Sequence, residues 1–161
     1  MRYIIYILIS FGFWLLFTFN LSLPNIIVGL IISVLTVLLL GRYFVGNVTK
    51  LFQPQRYFWF VVYAFIFAWE CLRANLDVAY RVLHPDLPIR PGIVKIKTNL
   101  KTDIARATLA NSITMTPGTI TVDIVGDDLF IHWINVSGNG PEEYGELISG
   151  RFEKYIKKIF E

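Results

Sequence analysis

The sequence predicts a membrane α-helical hairpin, a third membrane-associated helix and then a small α+β domain of order β-α-β-β-α. Three observations carry this expectation. Residues 3–41 contain no Asp, Glu, Lys, Arg or His. All twelve acidic residues lie from Glu70 onward, so negative charge is confined to the later part of the chain. From Asp86 onward, apolar residues recur with the periods of strands and amphipathic helices rather than as a continuous run.

The uncharged run is too long for a soluble domain of this size to cover, whereas a bilayer accepts helices of about 20 apolar residues. It holds about two such lengths, divided by the polar stretch Asn20-Leu21-Ser22-Leu23-Pro24-Asn25. One helix is expected over residues 4–19 and a second over 26–44. In hydrocarbon each backbone N–H must be bonded within its own segment, which leaves helix as the conformation. Arg2 and the apolar core are reminiscent of a signal peptide, but no small-x-small site follows and a second apolar run begins at once. The segment is therefore read as an anchor. Trp14 and the aromatic residues at 17 and 19 suit the interfacial zone near the turn. Gly29 and Ser33 have the small-xxx-small spacing of a helix-packing surface, with Gly12 a further small residue. Ordinary lipid-facing composition is the alternative reading of all three.

Arg42, Lys50 and Arg56 follow the second helix with no acid among them. Such loops stay cytoplasmic, and a hairpin that crosses twice puts Arg2 on the same side. Residues 1–56 thus form the first segment, hairpin plus basic loop. Residues 57–83 form the third helix, which begins FWFVVYAFIFAW and then turns amphipathic. Its apolar part, about 14 residues, is short for a full span. Asp77 stands four residues from both Arg73 and Arg81, the spacing of a charge ladder on one face. Two topologies compete. If this helix spans, either the basic loop or the basic C-terminal tail violates the positive-inside rule. If it lies in or dips into the cytoplasmic interface, every basic segment stays on one side, and this second topology is preferred.

Residues 86–161 read as a soluble domain on the cytoplasmic side. Val94-Lys95-Ile96-Lys97-Thr98 alternates like a half-buried strand. Thr102 is placed to cap a helix over Asp103–Met115. Pro117-Gly118 marks a turn. Ile120, Val122 and Ile124 alternate with Thr121 and Asp123 as a second strand, and Gly126-Asp127-Asp128 turns it into a third over residues 129–136. A last helix carries Pro141 in its first turn and shows Ile148, Phe152, Tyr155 and Ile159 on one face. Its acids Glu142, Glu143 and Glu146 and its bases Lys154, Lys157 and Lys158 suit opposite ends of the macrodipole. The order suggests one sheet with helices on one face.

The chemistry the chain lacks is informative. A net charge of +3 without a basic run is too weak for nucleic acid. The lone Cys71 excludes an internal disulfide and a cysteine metal cluster. His84 and His132 are the two histidines, with no HExxH, so no metal is expected; His132 reads as a surface or cross-strand residue. Gly138-Asn139-Gly140 lacks the spacing and lysine of a phosphate loop, and there is no GxSxG elbow. Asp127-Asp128 reads as a solvated turn pair. No cofactor and no small-molecule substrate are expected. Glu70, following the apolar stretch, is a candidate ion-path residue, because an ionisable group at membrane depth is costly and often functional. Its alternative is a headgroup-level residue paired with Arg73 at i+3.

The stretches Ile89-Arg90-Pro91-Gly92-Ile93, Thr98-Asn99-Leu100 and Ala110-Asn111-Ser112-Ile113-Thr114-Met115-Thr116-Pro117-Gly118-Thr119, together with Arg73-Ala74-Asn75, resemble the E-type subunits of Mrp-type multisubunit cation/proton antiporters. The resemblance covers nearly the whole chain. It implies a non-catalytic subunit of a large complex of the cytoplasmic membrane that exchanges Na⁺ for H⁺. Ion translocation then falls to larger subunits, and this chain supports assembly and stability. The same family has equivalents in archaeal membrane-bound hydrogenase and sulfur-reducing complexes. Arg90, Pro91, Gly92, Thr116, Pro117, Gly118 and Thr119 are read as fold and docking determinants, with other subunits and the lipid bilayer as partners. A rival of another class is a self-sufficient membrane-anchored binding module.

Overall fold

Two helices occupy the uncharged run, α1 (Arg2–Thr18) and α2 (Leu23–Leu40). The computed structural model describes residues 2–41 and 53–161, which divide into two compact units, Met1–Gln53 and Pro54–Glu161. Both helix boundaries differ from expectation. Helix α1 stops at Thr18 because Phe19 takes a φ of 46°, outside the helical region. Helix α2 starts at Leu23, before the expected residue 26, because Pro24 fits its first turn. The expected extension of α2 through 42–44, and with it Arg42 and Lys50, lies outside the described residues.

The polar stretch between the helices satisfies itself. Asn25 Nδ2 donates to Thr18 Oγ1 at 3.0 Å and to the Asn20 carbonyl at 2.5 Å. The Ser22 amide donates to Asn20 Oδ1 at 2.9 Å, and Trp14 Nε1 donates to the Asn25 carbonyl at 3.2 Å. Such internal pairing is what a turn near apolar surroundings requires. The seam of the pair uses the small residues: Gly29, Ser33 and Val37 are the buried residues of α2. The Trp14 indole lies over Gly29, and Tyr6 packs on Val37. The small-xxx-small spacing thus serves an approach within the chain. Helix α2, 18 residues and about 27 Å long, is apolar enough to cross a membrane, whereas α1 is a slightly shorter apolar helix.

The second unit begins with α3 (Pro54–Leu83), 30 residues and about 45 Å long. By length and composition it too could cross a membrane. It has two faces. Phe58, Val61, Phe65, Trp69, Leu72, Leu76, Tyr80 and Leu83 are all exposed, and their three- and four-residue spacing makes them one stripe. The opposite face carries Trp59, Tyr63 and Phe67 into the core of the α+β layer. So α3, expected as a segment of its own, shares a core with the domain that follows.

That layer is a three-stranded antiparallel sheet in the order β1-β3-β2, formed by β1 (Gly92–Lys97), β2 (Thr119–Val125) and β3 (Asp128–Trp133). Val94, Ile96, Leu129 and Ile131 point into the core with Leu109 and Ile113 of α4 (Asp103–Met115). Thr102 caps α4, its side chain accepting from the Ala105 amide at 3.4 Å. The opposite face leaves Ile93 and Ile120 exposed. His132 lies between them in the register, a cross-strand position.

Three local expectations are corrected. The pairing shifts between Thr121 and Asp123, so Val122 is an extra residue and β2 is bulged. Directly paired residues share a face; Ile120 opposes His132 and Ile124 opposes the inward Leu129, so these two isoleucines fall on opposite faces. The third strand ends at Trp133 rather than 136, because the Ile134 amide leaves the ladder and donates to the Gly118 carbonyl at 2.9 Å. The single helix expected from Pro141 is two, α5 (Pro141–Ile148) and α6 (Gly150–Phe160), separated at Ser149. Gly145, Ser149 and Gly150 weaken the helix there, a common setting for a break. The buried positions are Ile148, Phe152, Ile156 and Ile159, and Tyr155 is partly buried, its ring against Trp59.

Helix α6 runs antiparallel along α3, and the contacts track residue by residue. The Arg56 guanidinium donates to the carbonyls of Ile159 and Glu161. The Trp59 ring meets Tyr155 at 6.1 Å and Lys158 Nζ at 3.6 Å. Tyr63 and Phe67 hold Phe152 at 6.4 and 6.1 Å between ring centroids. Further along, Glu70 pairs with Arg151. The Tyr63 hydroxyl also bonds Ser112 of α4, a buried polar contact satisfied on both sides.

Candidate functional site

The Thr-Pro-Gly-Thr stretch closes the end of α4. An α-helix leaves its last carbonyls without helical partners, and threonine hydroxyls are suited to meet them. Thr116 Oγ1 donates to the Ser112 carbonyl at 2.8 Å. Thr119 Oγ1 reaches the Ile113 carbonyl at 2.7 Å and that of Thr116 at 3.0 Å. Thr121 Oγ1 donates to the Ala110 carbonyl at 3.1 Å, and Thr114 Oγ1 accepts from the Thr121 amide at the same distance. Pro117 presets the turn, and Gly118 takes a φ of 93°, a region that penalises a side chain. The Gly118 carbonyl then receives Ile134, which ties the turn to the exit of β3.

The Arg90-Pro91-Gly92 stretch meets that same exit from the other side. The Arg90 amide donates to the Ile134 carbonyl at 3.1 Å, and its carbonyl accepts from Val136 at 2.8 Å. Gly92 opposes Trp133 across the sheet, and a Cβ there would stand 3.0 Å from Val136 Cγ2. Both sequence-singled stretches therefore converge on residues 133–136, although neither contains a hint of the other.

A cleft of about 290 Å³ opens beside the Thr-Pro-Gly-Thr turn. Its walls are the turn residues Thr116, Pro117, Gly118 and Thr119, the segment 133–135, Arg151, and the polar face of α3 with Glu70, Arg73, Asp77 and Arg81. Arg90, Pro91 and Gly92 are not among the lining residues. Glu70 is nearly covered, at 13% side-chain exposure, and its partner is Arg151 rather than the expected Arg73. The reason is tertiary: α6 delivers the Arg151 guanidinium to the inner face of α3, while Arg73 lies on its exposed flank. The expected three-membered ladder is likewise only a pair. Arg81 grips Asp77 through two bonds of 2.7 and 3.1 Å, and among the described residues Arg73 joins no ion pair or hydrogen bond. Sequence reasoning passed over Arg151 as a wall residue; its 81-residue separation from Glu70 leaves no local signal.

The remaining polar candidates are in structural service. Asp127 holds Arg106 Nη2 at 2.6 Å, and Asp128 holds Lys95 Nζ at 2.6 Å across the sheet, so this turn pair is ion-paired rather than merely solvated. His84 Nδ1 accepts from the Asp86 amide at 3.2 Å. Cys71 is a free thiol. Among the described residues no three His, Cys, Asp or Glu side chains gather as a metal site would need.

An apolar helical pair with a small-residue seam, and a two-faced helix sharing its core with an α+β layer, define a mixed chain in which two helices, α2 and α3, are long and apolar enough to cross a membrane. The chain belongs to the Na⁺/H⁺ ion antiporter subunit family MNHE, whose profile matches residues 7–159. The E1 subunit of the Na⁺/H⁺ antiporter of Staphylococcus haemolyticus is 33% identical over 155 residues, covering 92% of this chain and 91% of that protein. The corresponding E-type antiporter subunit of Alkalihalophilus pseudofirmus is 30% identical over 148 residues, with 91% and 90% covered. Among solved structures, a chain of the membrane-bound sulfane sulfur reductase, an archaeal respiratory membrane complex, is similar at 42% identity and a TM-score of 0.79, with 99% of each chain covered.

Proposed function

We propose that this chain is a non-catalytic subunit of a multisubunit Na⁺/H⁺ antiporter of the cell membrane, contributing to the assembly and stability of the complex. The observation that carries the reading is the family match over nearly the full length. The geometry agrees with it: the singled-out threonines, prolines and glycines close a helix and join it to a sheet exit, which is a packing task. The test is removal of the chain from its native host, with the remaining complex resolved by native electrophoresis. Loss of the full-size assembly is expected; a full-size, active complex without the chain contradicts the role.

A second reading places the chain in a sulfur-reducing or hydrogenase-type respiratory complex. It is favoured by one specific observation, the 42% identity to the sulfane sulfur reductase chain, above the 33% to the staphylococcal protein. The two readings share the same task within different machines.

The topology we infer has α1 and α2 crossing the bilayer and the unit Pro54–Glu161 on the cytoplasmic side, with α3 lying in the interface. The support is the pairing of α3 with α6. Over the length from Arg56 to Glu70, the apolar half of α3 lies against a helix bearing Arg151, Glu153, Lys154, Lys157 and Lys158. Each cation at the centre of a bilayer costs about 2.5–3.5 kcal/mol even by the most lenient scale. A spanning α3 would carry these groups with it, so the packing argues against what its composition alone allows.

In this arrangement Glu70 acts as a latch between α3 and α6 rather than as an ion-path residue. Glu70→Gln keeps an acceptor for Arg151, and the full chain in detergent is expected to lose less than about 1 kcal/mol. Glu70→Ala leaves the guanidinium without its partner and costs about 1–2 kcal/mol, a modest value because Arg151 is 38% exposed and screened by water. Thermal unfolding reads both. A Glu70→Gln complex that assembles fully yet fails to transport would restore the ion-path reading.

A further inference from the structure

Arg73 stands where the two faces of α3 meet. On one side it lines the cleft with Arg81 and Arg151. Those two are matched by Asp77 and Glu70, so the cleft holds three cations against two anions, and Arg73 is the one left over among the described residues. On its other side, Trp69 one turn earlier and Leu72 beside it belong to the exposed stripe, at 64% and 53% exposure. An exposed, unmatched guanidinium bordering a long apolar surface has the chemistry to receive an amphiphile with a negative head.

We propose that this edge of α3 binds an anionic phospholipid, with the headgroup phosphate at Arg73 and the acyl chains against Trp69, Leu72 and Leu76. The proposal rests on the in-plane reading of α3 given above. Guanidinium groups recognise phosphate oxygens through paired donors, and among the described residues none occupies the donors of Arg73. Lipid is favoured over a neighbouring helix by the residues next to Arg73, Trp69, Leu72, Leu76 and Tyr80, which are all bulky, whereas the exposed small residues Ala64, Ala68 and Ala79 lie along the edge of the stripe away from Arg73. Helices that pack on one another in membranes use small residues, as the α1–α2 seam does with Gly29 and Ser33. Tryptophan, by contrast, belongs at headgroup depth.

The test uses the full chain in mild detergent with added phosphatidylglycerol or phosphatidylcholine, read by native mass spectrometry and thermal unfolding. Retention of phosphatidylglycerol over phosphatidylcholine is expected, and Arg73→Gln should reduce that preference by about fivefold, the effect of one surface cation. Because Arg73 makes no bond among the described residues, the variant folds. A preference unchanged in Arg73→Gln, or absent from the parent chain, overturns the proposal. So does equal stabilisation by inorganic phosphate without lipid, which would mark a site for free anions. A nitroxide on Phe65→Cys in a Cys71→Ser background separates the underlying reading. Headgroup depth upholds the in-plane helix whatever the lipid result, and midplane depth overturns both.

Discussion

Gly29→Leu is expected to open the α1–α2 hairpin. A Cβ at residue 29 would lie 2.3 Å from Trp14 Cδ1, 2.6 Å from Nε1 and 2.9 Å from Cγ. Carbon atoms rest at about 3.5–4.0 Å, so even the first added atom forces the indole or the helix to move. Trp14 cannot yield freely, because its Nε1 donates to the Asn25 carbonyl at the start of α2. Overpacking of this kind costs about 1–3 kcal/mol where the neighbours can adjust, and more where backbone must shift. Alanine sharpens the test through its sign. Helix propensity alone makes Gly→Ala stabilising by about 1 kcal/mol. At Gly12, where nothing stands within 4 Å of the added atom, that gain is expected; at Gly29 the contact with Trp14 reverses it. Disulfide crosslinking between Tyr6→Cys and Val37→Cys, which pack together in the parent seam, reports the outcome. The yield falls in Gly29→Leu, falls less in Gly29→Ala and is unchanged in Gly12→Ala. A high yield in Gly29→Leu would show that the hairpin is not closed at this seam.

Phe152→Ala is expected to release α3 from the α+β layer. The ring is 2% exposed and stands between Tyr63 and Phe67, so it is the central contact of the α3–α6 pair. Removing a buried phenylalanine costs about 3–5 kcal/mol, through lost transfer energy and the cavity left behind. Domain stabilities are about 5–15 kcal/mol, so the loss is a large fraction of the total. Amide exchange over Trp59–Phe67 should accelerate more than exchange in β1 or β3, because the sheet keeps its own core of Ile96, Leu129 and Ile131. Phe65→Ala is the counterpart on the other face. At 75% exposure it should change stability in detergent by under about 0.5 kcal/mol. Equal losses from the two variants would contradict a two-faced α3.

Features written in adjacent residues were legible in the sequence. The uncharged run announced two helices, Thr102 announced the start of α4, and Gly126-Asp127-Asp128 announced the β2–β3 turn. Their causes are local: hydropathy, a cap and a turn. Features that depend on distant partners were not legible. The alternation of Ile120, Val122 and Ile124 is intact, so nothing in it reveals the bulge at Val122, which arises from pairing with β3. The ladder spacing of Arg73, Asp77 and Arg81 is present, yet α6 captures Glu70 and the pairing stops at Asp77–Arg81. The threonines near Pro117 are recognisable as backbone-bonding residues; the cleft they wall is not, because its other walls come from α3, α6 and the end of β3. Ser149-Gly150 does carry a signal for the helix break, outweighed by the apolar spacing across it.

The account is tested most directly by purifying the chain from native membranes in mild detergent and identifying what accompanies it by mass spectrometry. Recovery with large antiporter-type membrane subunits is the predicted result. If Ni–Fe or Fe–S subunits come with them, the chain serves a redox-driven complex of the same lineage. Recovery of the chain as a stable monomer, free of other subunits, would contradict the claim that it belongs to a larger assembly.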